Sequence, residues 1–399
     1  MDFSWSPDLN YILLLFALFV LPRALQRFRL PAAVTSVALG LVAGMGFGLF
    51  TDDHTVELLA TFGIVALFLF AGLDVEVTEL RRGARVLIQH VVIGGAAIAG
   101  GTYVLLHALG LDVRSATLVA LAILTPSTGF ILDSLAGLSI GDEQRFWIRS
   151  KAIAAELVAL GVLFVVLQSQ SAEQLGISVV VLLSLVLLLP IAFRMFAANV
   201  VPYAPRSEFA FLLMLAIIAA SITRRLGVYY LVGAFVVGLV ARQFRTRLPA
   251  VTSDEMLHAV EMFAQFFVPF YFFRAGLHVA ADDFSLRAVL LGVAFLAIGL
   301  PLRVLLVAVH RRLALRESWT DASHVGVAML PTMVFTLVIA GILRDRFAAP
   351  PAIFGGLVIY TLANALVPGW VLSRKDPSLA KLALESPGAP DGEIPATSP

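Results

Sequence analysis

Long apolar segments, each bounded by charged or turn residues, recur along the whole chain. A transmembrane helix needs about 20 predominantly apolar residues, and thirteen segments reach or approach that length. The pattern therefore predicts an all-α polytopic membrane protein with about thirteen transmembrane helices. The predicted segments are residues 9–22, 31–50, 57–75, 84–109, 112–137, 145–168, 176–198, 207–223, 226–243, 257–279, 285–309, 320–343 and 350–373.

Three short motifs recur in the same order in the two halves of the chain. The motif ALGLVAG (38–44) returns as VVGLVAR (236–242), FLFAGLDV (68–75) as FFRAGLHV (272–279), and LTPST (124–128) as LPTM (330–333). The offsets are 198, 204 and about 205 residues. The segments from 31 to 168 thus resemble those from 226 to 373, and seven crossings separate the starts of the two blocks. The sequence predicts two inverted five-helix repeats.

Each repeat carries a proline inside an apolar segment, Pro126 in the first and Pro331 in the second. Proline removes a backbone donor and clashes with the preceding turn, and unwound backbone at membrane depth is tolerated only where it is buried or lines a cavity. Inverted repeats with interrupted helices are typical of secondary transporters, which bind their substrates near the midplane. Hydroxyls beside the two prolines are candidates to bind a cation or the freed backbone: Thr125, Ser127, Thr128 and Thr332.

Glu156 lies in the middle of the apolar segment 145–168. An ionisable residue at that depth is costly and indicates a functional site; the alternatives are a structural hydrogen bond and a buried ion pair. A neutral carboxyl holds a proton, and a charged one can hold a cation. Competition for this carboxyl predicts the exchange of one proton for one monovalent cation.

Three other charged residues are candidates for supporting roles. Arg303 is positioned to compensate the Glu156 charge or the ends of the interrupted helices, or else to extend to the membrane interface. Arg274 lies toward the outer side of its segment, where it would compensate helix dipoles or attract an anionic substrate. Asp133 lies on the cytoplasmic side of the first proline and suits either a cytoplasmic ion funnel or a helix-end cap.

Basic residues are distributed unevenly between the two sets of segment ends, with 20 at one set and 6 at the other. The positive-inside rule then places the N-terminus outside and the C-terminus in the cytoplasm of a cell (inner) membrane. Residues 1–373 would form one transmembrane domain, and 374–399, rich in Pro, Ala, Ser and Gly, a disordered cytoplasmic tail.

Composition narrows the functional classes. Hydrophobic residues make up 60% of the chain and charged residues 14%, which excludes an ordinary soluble domain. The chain has no cysteine, so disulfides and thiolate chemistry are excluded. The net charge of +1 gives no basic footprint for nucleic acid.

Three stretches of the chain resemble the monovalent cation:proton antiporter family of the Kef type. They are TFGIVALFLFAGLDVEVTELRR (61–82), FFVPFYFFRAGLHV (266–279) and SHVGVAMLPTMVFTLVIAGIL (323–343), and the resemblance extends over nearly all of residues 20–373. It implies a homodimer of thirteen-helix subunits in which two interrupted helices cross. It also implies that Glu156 is the family's core acid and that Arg303 is its basic partner.

The sequence departs from that family at several positions. Ala155 replaces the polar residue that usually precedes the acid, and the acid is Glu instead of Asp. Pro331-Thr332-Met333 stands where an Arg-Gly-Glu stretch is common.

The favoured function is therefore sodium or potassium exchange for protons by alternating access. The protein would need no cofactor, would hold no metal beyond the transported monovalent cation, and would not be an enzyme. Two alternatives stay open at this point. Two arginines within the membrane would suit a sodium-coupled organic-anion transporter, and Ala155 with the missing Arg-Gly-Glu would suit a membrane sensor that no longer transports.

Overall fold

The computed structural model describes residues 7–135, 141–204, 207–227, 230–243 and 254–372, and within these ranges the chain is helical without β-strands. The predicted tail, 374–399, lies outside the described residues. The helices are α1 (Pro7–Gln26), α2 (Ala32–Leu41, continued by a π-helical turn Val42–Gly46), α3 (His54–Leu73), α4 (Val77–Arg82), α5 (Ala84–Leu109), α6 (Val113–Leu124), α7 (Thr128–Leu135), α8 (Asp142–Gln168), α9 (Ala172–Asn199), α10 (Glu208–Arg225), α11 (Tyr230–Gln243), α12 (Asp254–Leu277), α13 (Leu286–Leu315), α14 (Trp319–Ala328), α15 (Met333–Phe347) and α16 (Pro351–Val371).

The helical segments agree with the predicted all-α membrane architecture. By length and apolar composition, nine helices in the described residues can cross a membrane, or ten if the bent pair α14–α15 is one span. The π-extended α2 and most of α11 form shorter apolar helices. Each of the thirteen predicted segments coincides with a helix or an interrupted helix, and the count of thirteen crossings is approximate.

Local sequence signals fix where many of these helices begin and end. The Asp53 carboxylate accepts hydrogen bonds from the N–H groups of Thr55 and Val56 at the start of α3, and Asp112 caps α6 in the same way. These side chains satisfy donors that have no partner inside the helix. At the other end of α5, Gly110 adopts a left-handed conformation with φ of 65° that stops the helix.

Two close helix crossings share one geometry and involve both repeats. Gly40 of α2 lies against the backbone of Phe273 in α12, and Gly276 of α12 lies against Val37 in α2. Glycines allow backbones to approach this closely because they have no Cβ. The same crossing occurs between α3 and α11, where Gly238 lies against Leu69 and Gly72 against Phe235.

The two crossings are related by the offsets of the internal repeat. An offset of 198 residues relates Gly40 to Gly238, and an offset of 204 relates Gly72 to Gly276. The first helix of each repeat therefore packs on the second helix of the other repeat. This exchange of partners is what a pseudo-two-fold axis between the repeats produces, and it supports the predicted repeat.

Burial separates the helices into a central group and a peripheral group. Most residues of α6 and α15 are buried, whereas most apolar side chains of α5 and α9 are at least partly exposed. In a membrane protein such exposed apolar faces contact lipid. The two interrupted helices thus lie inside the protein, where unwound backbone can be tolerated.

Candidate ion-binding site

The two predicted breaks are present and meet each other. The first separates α6 from α7 at residues 125–127, and the second separates α14 from α15 at residues 329–332, where the axis bends by 46°. The N–H of Ser127 donates to the carbonyl of Pro331 over 2.9 Å. The Ser127 hydroxyl accepts a hydrogen bond from the N–H of Val334 over 3.3 Å. Ser127, predicted as an ion ligand, therefore joins the two breaks.

Arg303 of α13 binds the end of α14 at the second break. Its guanidinium donates to the carbonyl of Met329 over 2.6 Å and to that of Leu330 at shorter range. Only 7% of Arg303 is exposed. A positive charge is favourable at a helix C-terminus, where carbonyls lack partners inside the helix. The buried guanidinium of Arg303 thus lies at the end of an interrupted helix, and its charge-compensating role stays a prediction.

Tyr360 of α16 connects this arginine to the first break. Its hydroxyl accepts from Arg303 over 3.3 Å and donates to the carbonyl of Ile123 over 2.8 Å. The next carbonyl back, that of Ala122, accepts from the hydroxyl of Thr336 over 2.7 Å. Both half-helices that end at the breaks therefore have partners for their last carbonyls.

Glu156 lies on α8 with 5% of its surface exposed. Its carboxyl lies near the N–H and the hydroxyl of Thr128 at the N-terminus of α7. The hydroxyl contact is long, since Thr128 Oγ1 has no partner within normal hydrogen-bond distance. Among the described residues, no lysine or arginine forms an ion pair with Glu156. A helix N-terminus favours a negative charge at this position.

Several buried side-chain oxygens near the breaks have no hydrogen-bond partner among the described groups. They include Thr125 Oγ1, Thr128 Oγ1 and Asn364 Oδ1. Buried polar atoms are nearly always hydrogen-bonded, so unpartnered ones need an explanation such as a bound ion or water. Hydroxyl and amide oxygens suit an alkali cation. Thr332 differs from them, because its hydroxyl accepts from Asn364 Nδ2 over 2.8 Å. The same hydroxyl donates to Thr336 over 2.7 Å, since the one hydroxyl proton of Thr336 is given to Ala122.

A cleft opens beside the first break, between α5, α8, α13 and α14. Its volume of about 70 Å³ leaves room for a few water molecules, since one water needs roughly 10–15 Å³ by the same measure. Its walls include Thr125, Pro126, Ala155, His90 and Arg303. The cleft thus reaches the first break and the turn of α8 that carries Glu156.

Comparison with known proteins assigns the chain to a protein family. The sodium/hydrogen exchanger family of transmembrane proteins matches residues 13–374. The chain belongs to this family. The match is to the family as a whole, and the narrower Kef type is not supported by the comparisons. Members of the family are transporters and not enzymes.

Individual relatives and one solved structure agree with this assignment. A probable Na⁺/H⁺ antiporter 3 from Methanocaldococcus jannaschii is 24% identical, covering 90% of this chain and 93% of the relative. The Na⁺/H⁺ antiporter NhaS5 from Synechocystis is 23% identical over 91% of this chain and 52% of its own. The structure of the sodium proton antiporter MjNhaP1 from M. jannaschii has a similar fold, with a TM-score of 0.65 at 13% identity over 94% of this chain and 97% of that one.

Two other residues predicted for the site of this exchanger lie elsewhere or cannot be placed. Arg274 forms an ion pair with Glu57 of α3 over 3.1 Å, with both side chains partly exposed. It therefore compensates Glu57 and takes no part in the contacts at the breaks. Asp133 belongs to α7, but its side chain lies outside the part of the chain that the structure describes.

Sequence reasoning missed three residues of α16 that line the breaks. They are Tyr360, Thr361 and Asn364, each fully buried. Their polar groups recur at i, i+1 and i+4 within an otherwise apolar helix. Residues four apart lie on one face of a helix, so Tyr360 and Asn364 share a face. The offset of 205 residues that relates the two prolines also relates Glu156 to Thr361. The second repeat thus carries a hydroxyl where the first carries the acid.

Proposed function

We propose that this exchanger moves Na⁺ or K⁺ in one direction and protons in the other, by alternating access, with Glu156 as the shared binding group. The observation that carries the proposal is the buried Glu156 carboxyl at the N-terminus of α7, without an ion-pair partner among the described residues. Its relatives are named as Na⁺/H⁺ antiporters, which supports the same proposal. The Kef-type subgroup stays a prediction from sequence resemblance.

Proton and cation would compete for this carboxyl. A protonated Glu156 is neutral and stable in a buried site, whereas a charged one needs a positive partner. A cation bound by the carboxylate and by the unpartnered hydroxyl oxygens of Thr125 and Thr128 supplies that partner. The site is never left charged and empty, and this condition couples the two movements.

The organic-anion alternative receives no support from the arginines that suggested it. The guanidinium of Arg303 is directed at the carbonyls of Met329 and Leu330 and at Tyr360, and Arg274 is paired with Glu57. Neither would be available to an anion without losing these partners. We therefore propose cation exchange instead of anion transport. We also propose that the protein works as a homodimer in the cell membrane. The flux assay described next distinguishes an exchanger from an inactive sensor.

The proposal is tested with purified protein in liposomes that contain a pH-sensitive dye. Addition of Na⁺ or K⁺ to one side should draw protons toward that side from the other, because the cation crosses in the opposite direction, and choline should not. Glu156→Gln should abolish this flux while leaving the fold intact, because Gln preserves the shape but cannot be charged. Glu156→Asp should keep part of the activity with an altered pH profile.

Glu173→Gln is the matched control, since Glu173 lies in the exposed first turn of α9. Its flux should equal that of the wild type. Undiminished flux in Glu156→Gln would remove Glu156 from the mechanism, and absence of cation-driven flux in the wild type would refute the exchange itself.

A further inference from the structure

A second buried ionisable group lies on the same helix as Glu156. Lys151 of α8 is completely buried. Its Nζ lies 2.9 Å from Nδ1 of His310 on α13. Lys151 is one of three lysines in the chain, and the other two, Lys375 and Lys381, follow the last helix. It is therefore the one lysine within the membrane domain.

The hydrogen bonds around His310 determine which atom donates. Nε2 of His310 lies 3.3 Å from Oε1 of Gln89 on α5. A carbonyl oxygen only accepts, so Nε2 carries the ring proton and Nδ1 accepts from Lys151. The ring of His90 stacks on His310 with 6.0 Å between centroids. The partner of Lys151 is thus a neutral imidazole and not an anion.

The charged groups near Lys151 do not supply a counterion. Arg311, completely buried on α13, and Glu317 are its charged neighbours. Arg311 already engages both carboxylate oxygens of Glu317, one over 2.8 Å. Among the described residues, no carboxylate lies within ion-pair distance of Lys151. A buried ammonium without a counterion is costly, so this amine can lose its proton as well as bind one.

Lys151 lies one helical turn from a residue that lines the cleft beside the first break. Residues four apart lie on the same face of a helix, and Ala155, four residues after Lys151, lines the cleft together with His90. Glu156 follows Lys151 by five residues, which is about 7.5 Å along the helix axis. A cation held by Glu156 would therefore lie within electrostatic range of an ammonium at Lys151.

We propose that Lys151 is a second proton-binding site of the exchange cycle and that its proton and the cation at Glu156 exclude one another. In the step, the amine nitrogen gains a proton that water supplies and becomes an ammonium; return of that proton to water restores the amine. Because the two side chains also lie about 140° apart around the helix, their charges are farther apart than the axial rise. Two unit charges roughly 12 Å apart at an effective dielectric constant of about 20 weaken each other's binding roughly tenfold. Each cation then displaces the proton of Lys151 in addition to that of Glu156, which would replace the one-for-one exchange predicted from Glu156 alone. The inference rests on the proposed function, because it assumes a cation at Glu156.

The direct test observes Lys151 without measuring transport. The double variant Lys375→Arg, Lys381→Arg leaves Lys151 as the sole lysine, so ¹³C,¹⁵N-lysine labelling gives one side-chain NMR signal in detergent. Saturating NaCl or KCl should lower the proton affinity of that lysine roughly tenfold relative to choline chloride. Glu156→Gln in the same background should remove this effect. A lysine signal that does not respond to Na⁺ or K⁺ would overturn the inference.

A flux measurement tests the consequence for charge movement. Two protons per monovalent cation carry net charge, so wild-type exchange in liposomes should follow an imposed membrane potential. Lys151→Gln should make the remaining exchange insensitive to that potential. Arg85→Gln, which removes an exposed charge from α5, should behave as the wild type. Wild-type exchange that ignores the potential would contradict a second proton.

The two proposals fail in different ways. If the wild type shows no cation-driven flux, the proposed function is wrong. If the wild type exchanges cations for protons through Glu156 but the Lys151 signal does not respond, only this inference is wrong. Should Lys151→Gln fail to fold, the NMR titration still decides, because it uses a protein that keeps Lys151.

Discussion

At the scale of single residues, Arg303 should be the arginine whose loss costs most stability. Arg303→Ala leaves the carbonyls of Met329 and Leu330 buried without donors, and hydrogen bonds that involve a charged group contribute roughly 1.5–3 kcal/mol each. We expect the free energy of unfolding to fall by roughly 2–4 kcal/mol, measured by denaturation in detergent. Arg303→Lys should keep part of this stability.

Arg274→Ala is the matched control for this measurement. It removes the same side chain from a partly exposed ion pair with Glu57, and such pairs contribute only about 0–1 kcal/mol. Equal losses for the two alanine variants would show that the carbonyl contacts of Arg303 add little to stability.

Asp53 should make a stability contribution that depends on pH. Burial raises the pKa of its carboxyl, but hydrogen bonds from Tyr11, Val56 and Thr55 outweigh burial and hold the pKa below the usual 3.8. The contribution is therefore present at neutral pH and is lost as the pH falls below 3.8 through the lower folded-state value. Asp53→Ala should cost roughly 0.5–2 kcal/mol at pH 7, and thermal unfolding should show this difference disappear in acid.

The exposed neighbour Asp52 provides the comparison for this capping effect. Asp52→Ala removes the same charge from the same loop without removing the cap of α3. Its unfolding temperature should stay near that of the wild type across the pH range. A gap between wild type and Asp53→Ala that persists unchanged in acid would contradict the capping explanation.

Sequence alone could identify Glu156 and Arg303 as unusual, because a charge inside an apolar segment is visible without a structure. It could not identify their contacts. The partners of Arg303 are carbonyls of another helix, and backbone carbonyls leave no trace in the residue pattern. The pairing of Lys151 with His310 was also missed, because 159 residues separate them and only the packing of α8 near α13 brings them together.

At the scale of helices, the glycine crossings should be among the positions least tolerant of added volume. A Cβ on Gly238 would lie 2.8 Å from the backbone nitrogen of Leu73 and closer still to the carbonyl of Leu69. Backbone cannot move aside as a flexible side chain can, and overpacking typically costs about 1–3 kcal/mol. Gly238→Ala should therefore lower the unfolding temperature in detergent, and Gly40→Ala should do the same.

Gly176→Ala in α9 is the corresponding control. A Cβ there meets nothing within 4 Å, and alanine favours a helix over glycine by up to about 1 kcal/mol. This variant should be as stable as the wild type or more stable. Equal destabilisation of all three variants would argue against close packing as the cause.

The interrupted helices were predictable because proline acts through local chemistry. Pro126 and Pro331 lie in segments too apolar to be loops, and each removes a donor from its helix. The hydrogen bond between Ser127 and the carbonyl of Pro331 was not predictable, because it depends on how the two breaks approach each other. Side chains beside a break can bind an ion or backbone, and the sequence does not distinguish these roles for Ser127 and Thr128.

At the scale of the whole molecule, the uneven distribution of basic residues predicts the orientation in the membrane. The chain lacks cysteine. A cysteine introduced at one position can therefore be labelled to show on which side of the membrane that position lies. His54 and Leu313 are well exposed, at 97% for the His54 side chain and 77% for Leu313. In intact cells, a membrane-impermeant maleimide should label His54→Cys but not Leu313→Cys. After the cells are lysed, the same reagent should label both variants. The reverse pattern would overturn the orientation.

The exchanged glycine crossings also have a consequence for the ancestry of the chain. If the two repeats were separate polypeptides, the crossing of α2 on α12 and that of α3 on α11 would be the two equal halves of an isologous interface. A half-length ancestor could therefore have assembled by pairing with its own copy, and every substitution in it would have appeared twice. Fusion of two such copies would end that constraint. Each half could then change independently, and the corresponding positions 156 and 361 do hold different residues, Glu156 and Thr361.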